Sequence, residues 1–335
     1  MSAIFNIAND TLKVLAAASL AATLAIGAEL FFHFRSSSLI FCFRVCHGRT
    51  AFLPMHPAHF CSGAAIGLPL FCPKNRMLFT KHAEPRSQMS IFTIADLHLP
   101  GAEGAAKSMD VFGRRWADSQ NRLERNWRAV VAPEDSVVIP GDISWAMNLD
   151  EARGDFAFID SLPGKKYIGK GNHDFWWATA AKMNAFFAEN SFSTLSILYN
   201  NAYILDGAVI CGARGWFFDE ASQKTVGNTD WQKIVNRETM RLEMSIKAAE
   251  ELIHSREPST AEPPTIIAFL HFPPVWNGAV AEGIIDVLLR HGVKKCYFGH
   301  IHSEYAERAP ILHKDIEFRL ISADHLSFCP QRIDI

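Results

Sequence analysis

Carboxylates, imidazoles and one carboxamide stand at the ends of five short apolar runs. Asp96 and His98 follow Phe92-Thr-Ile-Ala, and Asp142 follows Val137-Val-Ile-Pro-Gly141. Asn172, His173 and Asp174 follow Tyr167-Ile-Gly-Lys-Gly171. His271 follows Ile266-Ile-Ala-Phe-Leu, and His300 and His302 follow Cys296-Tyr-Phe-Gly299. Oxygen and nitrogen donors of these kinds suit borderline divalent cations. Asp96 and His98, two apart in an extended segment, project to one side, and so do His300 and His302. Gly141 lets the backbone come close enough for the Asp142 carboxylate to reach two ions. Asp96, His98, Asp142, Asn172, His271, His300 and His302 thus suit a pair of cations sharing Asp142. Two ions ~3.5–4 Å apart lower the pKa of a shared water toward ~7 and clamp a phosphoryl group for in-line attack. A lone Asp-x-His is mostly a surface accident, and a lone buried histidine mostly hydrogen-bonds within a core. Five such runs in one orientation are a different matter.

A strand end is a rigid platform, and ligands just beyond neighbouring strands converge on one crevice. From Met89 onward, apolar runs alternate with amphipathic segments, as in a layered α/β domain. The spacing predicts helices over 121–131, after Asn148, after Thr179 and over about 230–254. It also predicts a hairpin of 197–205 with 208–211 through Asp206-Gly207. Residues 217–256, with the long helix, would either fold over the site as a cap or pack on an outer face. The Lys165-Lys166 and Lys294-Lys295 pairs read as solvated turns.

These motifs over residues 89–305 resemble the calcineurin-like metallophosphoesterases. The stretch Gly141-Asp-Ile-Ser-Trp-Ala-Met-Asn148, with Gly-Asn-His-Asp-Phe-Trp-Trp177, is most similar to a bacterial subgroup of predicted phosphohydrolases. The resemblance implies a four-layer α/β/β/α sandwich with mixed sheets and a dimetal site at its strand ends. It implies that Asp96, His98 and His302 bind one ion, Asn172, His271 and His300 the second, and Asp142 both. A metal-bridging hydroxide would then attack a phosphate mono- or diester, and His173 would face the ester and protonate the leaving group. One departure is Trp145, where many members carry an acid that orients the catalytic histidine; Asp174 or backbone would take over that role. A pyrophosphohydrolase resembling the UDP-diacylglucosamine hydrolases is the alternative enzyme, although those typically have Arg at the position of His173. A non-enzymatic scaffold, as in the retromer subunit of this fold, is the third reading. The donor set suits Mn, Fe, Zn or Ni.

Composition narrows the partners. Residues 1–88 hold eight Lys and Arg against three acids, a balance of +5, while the remainder carries −7. An acidic body argues against broad nucleic-acid binding, which needs clustered Lys and Arg. A small-molecule or nucleotide phosphate ester is the expected substrate. Arg214, in Gly212-Ala-Arg-Gly-Trp216, could clamp a phosphate bidentately or sit in a structural ion pair. Trp145 and Trp176 could wall a pocket.

Residues 1–88 read as an extension to the domain at 89–335, poorly ordered or mis-assigned, with the natural start at Met89. The Ala/Leu-rich stretch from Val14 is shorter than a bilayer span, so membrane association is expected only if residues 14–34 insert as an anchor. Cys42, Cys46, Cys61 and Cys72 fit no standard zinc finger. Cys211 and Cys296, inside apolar strands, read as reduced core thiols of a cytoplasmic protein.

Overall fold

The structure, a computed structural model, describes residues 89–101, 109, 113–205, 207–224, 230–256, 263–306 and 309–335, with dipeptide strands at 34–35 and 38–39. The chain divides into compact units Met1–Leu68 and Pro69–Ile335. In the first, Phe34–Arg35 pairs antiparallel with Ser38–Leu39. Apart from Phe34, the candidate anchor at 14–34 and the cysteines at 42–72 lie outside the described residues, as do the remaining residues before Met89.

Two sheets organise the second unit. The strands of the first are β1 (Ile91–Thr93), β2 (Ser136–Pro140), β3 (Lys165–Gly169) and β4 (Leu195–Ile197), all parallel, with a C-terminal strand at Gln331–Arg332 antiparallel to β1. The helices Ser119–Val130 (α1), Arg153–Ser161 (α2) and Ala180–Glu189 (α3) connect them. The second sheet contains β5 (Ala202–Leu205), β6 (Ala208–Ala213), β7 (Thr265–Leu270), then, after a short hairpin of β8 (Val275–Trp276) and β9 (Ala279–Val280), β10 (Lys295–Phe298), β11 (Ile311–His313) and β12 (Ile316–Leu320). Its order is β11-β12-β10-β7-β6-β5, parallel in the centre and antiparallel at both edges.

Strand alternation separates the layers. Ile210, Ile267, Phe269 and Tyr297 point inward and join Ile91, Val138 and Tyr167 of the first sheet in one core. Val209, Cys211, Ala268, Leu270, Cys296 and Phe298, their sequence neighbours, point outward into a second core. There they meet Leu242, Ile246 and Ala249 of the long helix Trp231–His254, and Ile285 and Leu288 of the helix Glu282–Arg290. With Leu123, Trp127, Phe156 and Met183 covering the far side of the first sheet, the architecture is the four-layer α/β/β/α sandwich.

Local chemistry starts the helices as the spacing predicts. Thr179 accepts from the Lys182 N–H and Asp230 from the Lys233 N–H, each satisfying an otherwise orphaned donor. Asn148 is not the cap of α2, whose N-cap is Ala152; it accepts from the Glu151 N–H in the turn before the helix. Two further expectations need correction, and one left open is decided. Residues 197–205 are not one strand: β4 ends at Ile197 in the first sheet, and the hairpin proper pairs β5 with β6 in the second. The long helix lies on the outer face rather than over the site, because its apolar stripe is spent on that core. Lys166 is no solvated turn residue: it is fully buried, and its ammonium donates to the carbonyl oxygens of Asp160, Leu162 and Gly164, closing the end of α2.

The junction of β1 and β2 depends on buried Asp135, whose carboxylate accepts from the Ser90 N–H at 2.8 Å and the Ala132 N–H at 2.8 Å. Asp135→Ala removes both acceptors, leaving the Ser90 donor buried and the Ala132 donor partly buried. Urea unfolding should show a loss of at least about 1–3 kcal/mol, the cost of the one fully buried orphaned group; an unchanged midpoint would refute the role.

Candidate metal centre

Each parallel strand that ends in a motif delivers its side chains to the same crevice: β1, β2 and β3 from one sheet, β7 and β10 from the other. The sheets are tied together there, since the Ala95 N–H donates to the Ile321 carbonyl at 2.8 Å and the Ala323 N–H to the Ala95 carbonyl at 2.8 Å. Close approach accounts for the glycines. A Cβ on Gly171 would overlap the Asp142 carboxylate, and one on Gly299 would overlap that of Asp96.

Two groups of donors result. The candidate ligand atoms of Asp96, His98 and His302 all lie within 4.8 Å of one another, and so do those of Asp142, His271 and His300. Asn172 joins the second, with Oδ1 2.6 Å from His271 Nε2 and 3.1 Å from His300 Nδ1. Asp142 stands between the groups: its Oδ2 is 3.8 Å from His98 Nε2 and 3.4 Å from His271 Nε2. His98 Nε2 and His302 Nε2 face each other at 3.2 Å. All seven residues singled out from the sequence therefore meet in one place.

The electrostatics fit a cation. Burial holds His98 and His271 well below the usual imidazole range and takes His300 down to about 3, so their lone pairs are free. Burial pushes Asp96 up to about 6, and burial with the neighbouring Asp174 and Asp96 carboxylates pushes Asp142 well above the usual range. Among the described residues, the contacts of these two acids include no Lys or Arg. The buried Nδ1 atoms of His98 and His271 have no hydrogen-bond partner among the described residues. Acids and neutral imidazoles packed together without a protein cation form a donor set that a divalent ion completes.

Two acids outside the seven order the site. Asp174 does so through the backbone: its carboxylate accepts the N–H groups of Gly171, Asp142 and Ile143, with Trp176 Nε1 as a further donor. Trp176 is 2% exposed and bound to that carboxylate, so it is a core residue and not a pocket wall. Asp324 stands outside the five motif runs. It accepts from His302 Nδ1 at 3.0 Å and from the Ser303 N–H at 2.9 Å. Burial lowers the His302 pKa, but the bond to Asp324 and the nearby Asp96 and Asp324 charges together outweigh it and leave the imidazole above its ordinary value. That bond also selects the tautomer whose Nε2 faces the donors of its group. The signal was legible, because Phe318-Arg-Leu-Ile-Ser-Ala-Asp324 is a sixth apolar run ending in a ligand-type residue.

His173 lies at the rim. Its backbone N–H donates to Asp142 Oδ1 at 2.8 Å, and its half-buried ring tilts against Trp145 at 4.4 Å. Trp145 also stacks on His98 at 5.0 Å, so an aromatic face occupies the place of the orienting acid. Arg214 stands beside the centre: its side chain pairs with Glu238 at 3.1 Å, while its carbonyl accepts the N–H groups of His271 and Phe272.

Fold and donor set together define a metal-dependent hydrolase of the two-sheet sandwich type. The calcineurin-like phosphoesterase family model matches residues 89–304, and the chain belongs to that family, whose members hydrolyse phosphoester bonds. Among solved structures, a protein of unknown function from Aquifex aeolicus is similar at 15% identity over 73% of this chain and 95% of its own, with a TM-score of 0.40. Phosphopantetheinyl hydrolase from Mycobacterium tuberculosis is similar at 14% identity over 73% of this chain and 96% of its own, with a TM-score of 0.43. No curated protein sequence matches the chain.

Asp324 lies beyond the family match yet holds a candidate ligand. Asp324→Ala should lower metal occupancy or turnover by about 10–100-fold, the range for loss of a residue that orients a ligand. Metal analysis beside steady-state kinetics measures both, and wild-type values in each would dismiss the role.

Proposed function

We propose that this enzyme hydrolyses phosphate mono- or diesters of small molecules or nucleotides at a centre of two divalent ions (Mn, Fe, Zn or Ni). One observation carries the reading: a single carboxylate oxygen of Asp142 reaches toward a histidine of each donor group, at 3.8 and 3.4 Å. Asp96, His98 and His302 would hold one ion, Asn172, His271 and His300 the other, with Asp142 common to both. The ions supply Lewis acidity for water and for the phosphoryl oxygens.

The protein's own groups do the rest. Burial keeps His98, His271 and His300 neutral and therefore able to ligate. His173 is held by its backbone against Asp142, so its ring sits beside the scissile ester and donates a proton to the departing oxygen. Trp145 walls that side, packed against His98 and His173. The filled donor positions support an enzyme over a scaffold.

A cytoplasmic setting is supported by Cys211 and Cys296, buried free thiols that burial pushes up in pKa and so renders inert. Among the described residues no helix is long and apolar enough to cross a membrane; residues 14–34 would have to insert for any membrane association.

Asp142→Asn should cut hydrolysis of p-nitrophenyl or bis-p-nitrophenyl phosphate by orders of magnitude and reduce bound metal, since one residue serves both ions. Near-wild-type turnover would count decisively against a shared ligand. His173→Ala should lose turnover while retaining both ions; metal loss in that variant would make it a ligand instead of a proton donor.

A further inference from the structure

A cavity of about 480 Å³ opens beside the metal centre, lined by Lys170, Arg214, Arg237 and Arg241 with Trp177 and Tyr199. Its walls share backbone with the centre. Lys170 lies two residues before Asn172, and the Arg214 carbonyl takes the N–H of His271 at 3.1 Å.

The charges in this cavity do not balance. Glu238, 1% exposed, is the acid that pairs with the arginines, and one oxygen receives all three: Arg241 Nη1 at 2.7 Å, Arg214 Nη2 at 3.1 Å and Arg237 Nε at 3.4 Å. Three guanidinium groups on one oxygen repel each other, while the second oxygen of Glu238 has no hydrogen-bond partner among the described residues. The buried Nε–H of Arg214 is likewise without one. A structural ion pair would need one arginine; the excess invites an anion whose oxygens accept guanidinium donors in pairs. The aromatic faces are already taken, since Arg241 lies over the Tyr199 ring at 5.1 Å and Lys170 over Trp177 at 6.0 Å. That arrangement favours a charged ligand over a stacked base.

We propose that the cavity is a second anion site, taking a phosphoryl-type dianion. Its source is either a second phosphate on the substrate, distal to the scissile ester, or a free anion acting on the enzyme. Only the first source rests on the phosphoester reading above.

The test compares metal-loaded wild type with the double variant Arg237→Gln, Arg241→Gln, both checked by thermal melting. KM is measured for p-nitrophenyl phosphate, which has one phosphoryl group, and for adenosine 3′,5′-bisphosphate, which has two. If the substrate brings the anion, the ratio of the second KM to the first rises at least about tenfold in the variant, as expected for lost bonds between charged groups. If the anion is free, that ratio stays constant, but sulfate, which is not hydrolysed, changes the wild-type p-nitrophenyl phosphate rate and changes the variant's far less. Tryptophan fluorescence during the sulfate titration reports the cavity through Trp177 and needs no turnover, so a failed hydrolase reading would leave it decisive. Equal KM ratios together with equal sulfate responses in rate and fluorescence would overturn the proposal and leave a structural ion cluster. A variant that does not fold is replaced by Arg241→Lys, which keeps the charge but loses the paired donors, with the same readouts.

Discussion

Four of the seven candidate ligands stand in the left-handed backbone region: Asp96 at φ 59°, His98 at 47°, Asp142 at 51° and His300 at 69°. For residues with a Cβ this conformation is uncommon and costs on the order of 1–3 kcal/mol each where it is strained. It persists because the ligand loops hold one another. The Asp96 N–H donates to the Gly141 carbonyl and that of His98 to the Asp142 carbonyl, each at 3.0 Å. The His300 N–H donates to the Asp96 carboxylate, and the Asp142 N–H to that of Asp174. Each turn is thus fixed by a neighbouring turn from another strand, and the donors face inward already oriented. Preorganisation of this kind is what a metal centre built on strand ends requires.

That lacing also explains the layered fold around it. Both sheets must end at one level for the Ala95–Ile321 and Ala323–Ala95 bonds to join them. The inner core between the sheets, with Phe269 stacked on Tyr297 and Tyr167 against Tyr203, sets their separation. Outside the sheets, the helices have only to cover apolar strand faces. This leaves the long helix free to present Glu238, Arg237 and Arg241 beside the centre without closing over it.

Charge is divided accordingly. Acids and neutral imidazoles crowd the crevice, and basic side chains gather next to it around Glu238. The net charge of −2 hides this arrangement, because within the domain the acids and bases that separate in space are interleaved along the chain.

Much of this was legible in the sequence because it is local. Apolar runs followed by Asp, Asn or His mark strand ends, and Thr179 and Asp230 mark helix starts through bonds three residues long. Glycine before Asp142 and His300 marks a backbone contact that tolerates no Cβ. Those features determined the layered class and the seven donors. Contacts between distant residues were decided only in three dimensions. Asp324 reaches His302 across 22 positions, Asp174 reaches Asp142 across 32, and Glu238 meets Arg214 across 24. Trp145 and Trp176 look alike as sequence, yet one lies against His98 and the other is buried on Asp174. Lys166 looks like its neighbour Lys165, yet it is enclosed by three carbonyls. Which side of a strand or turn faces the core follows from how the layers pack, and the energy that makes that choice is shared among residues far apart in the chain.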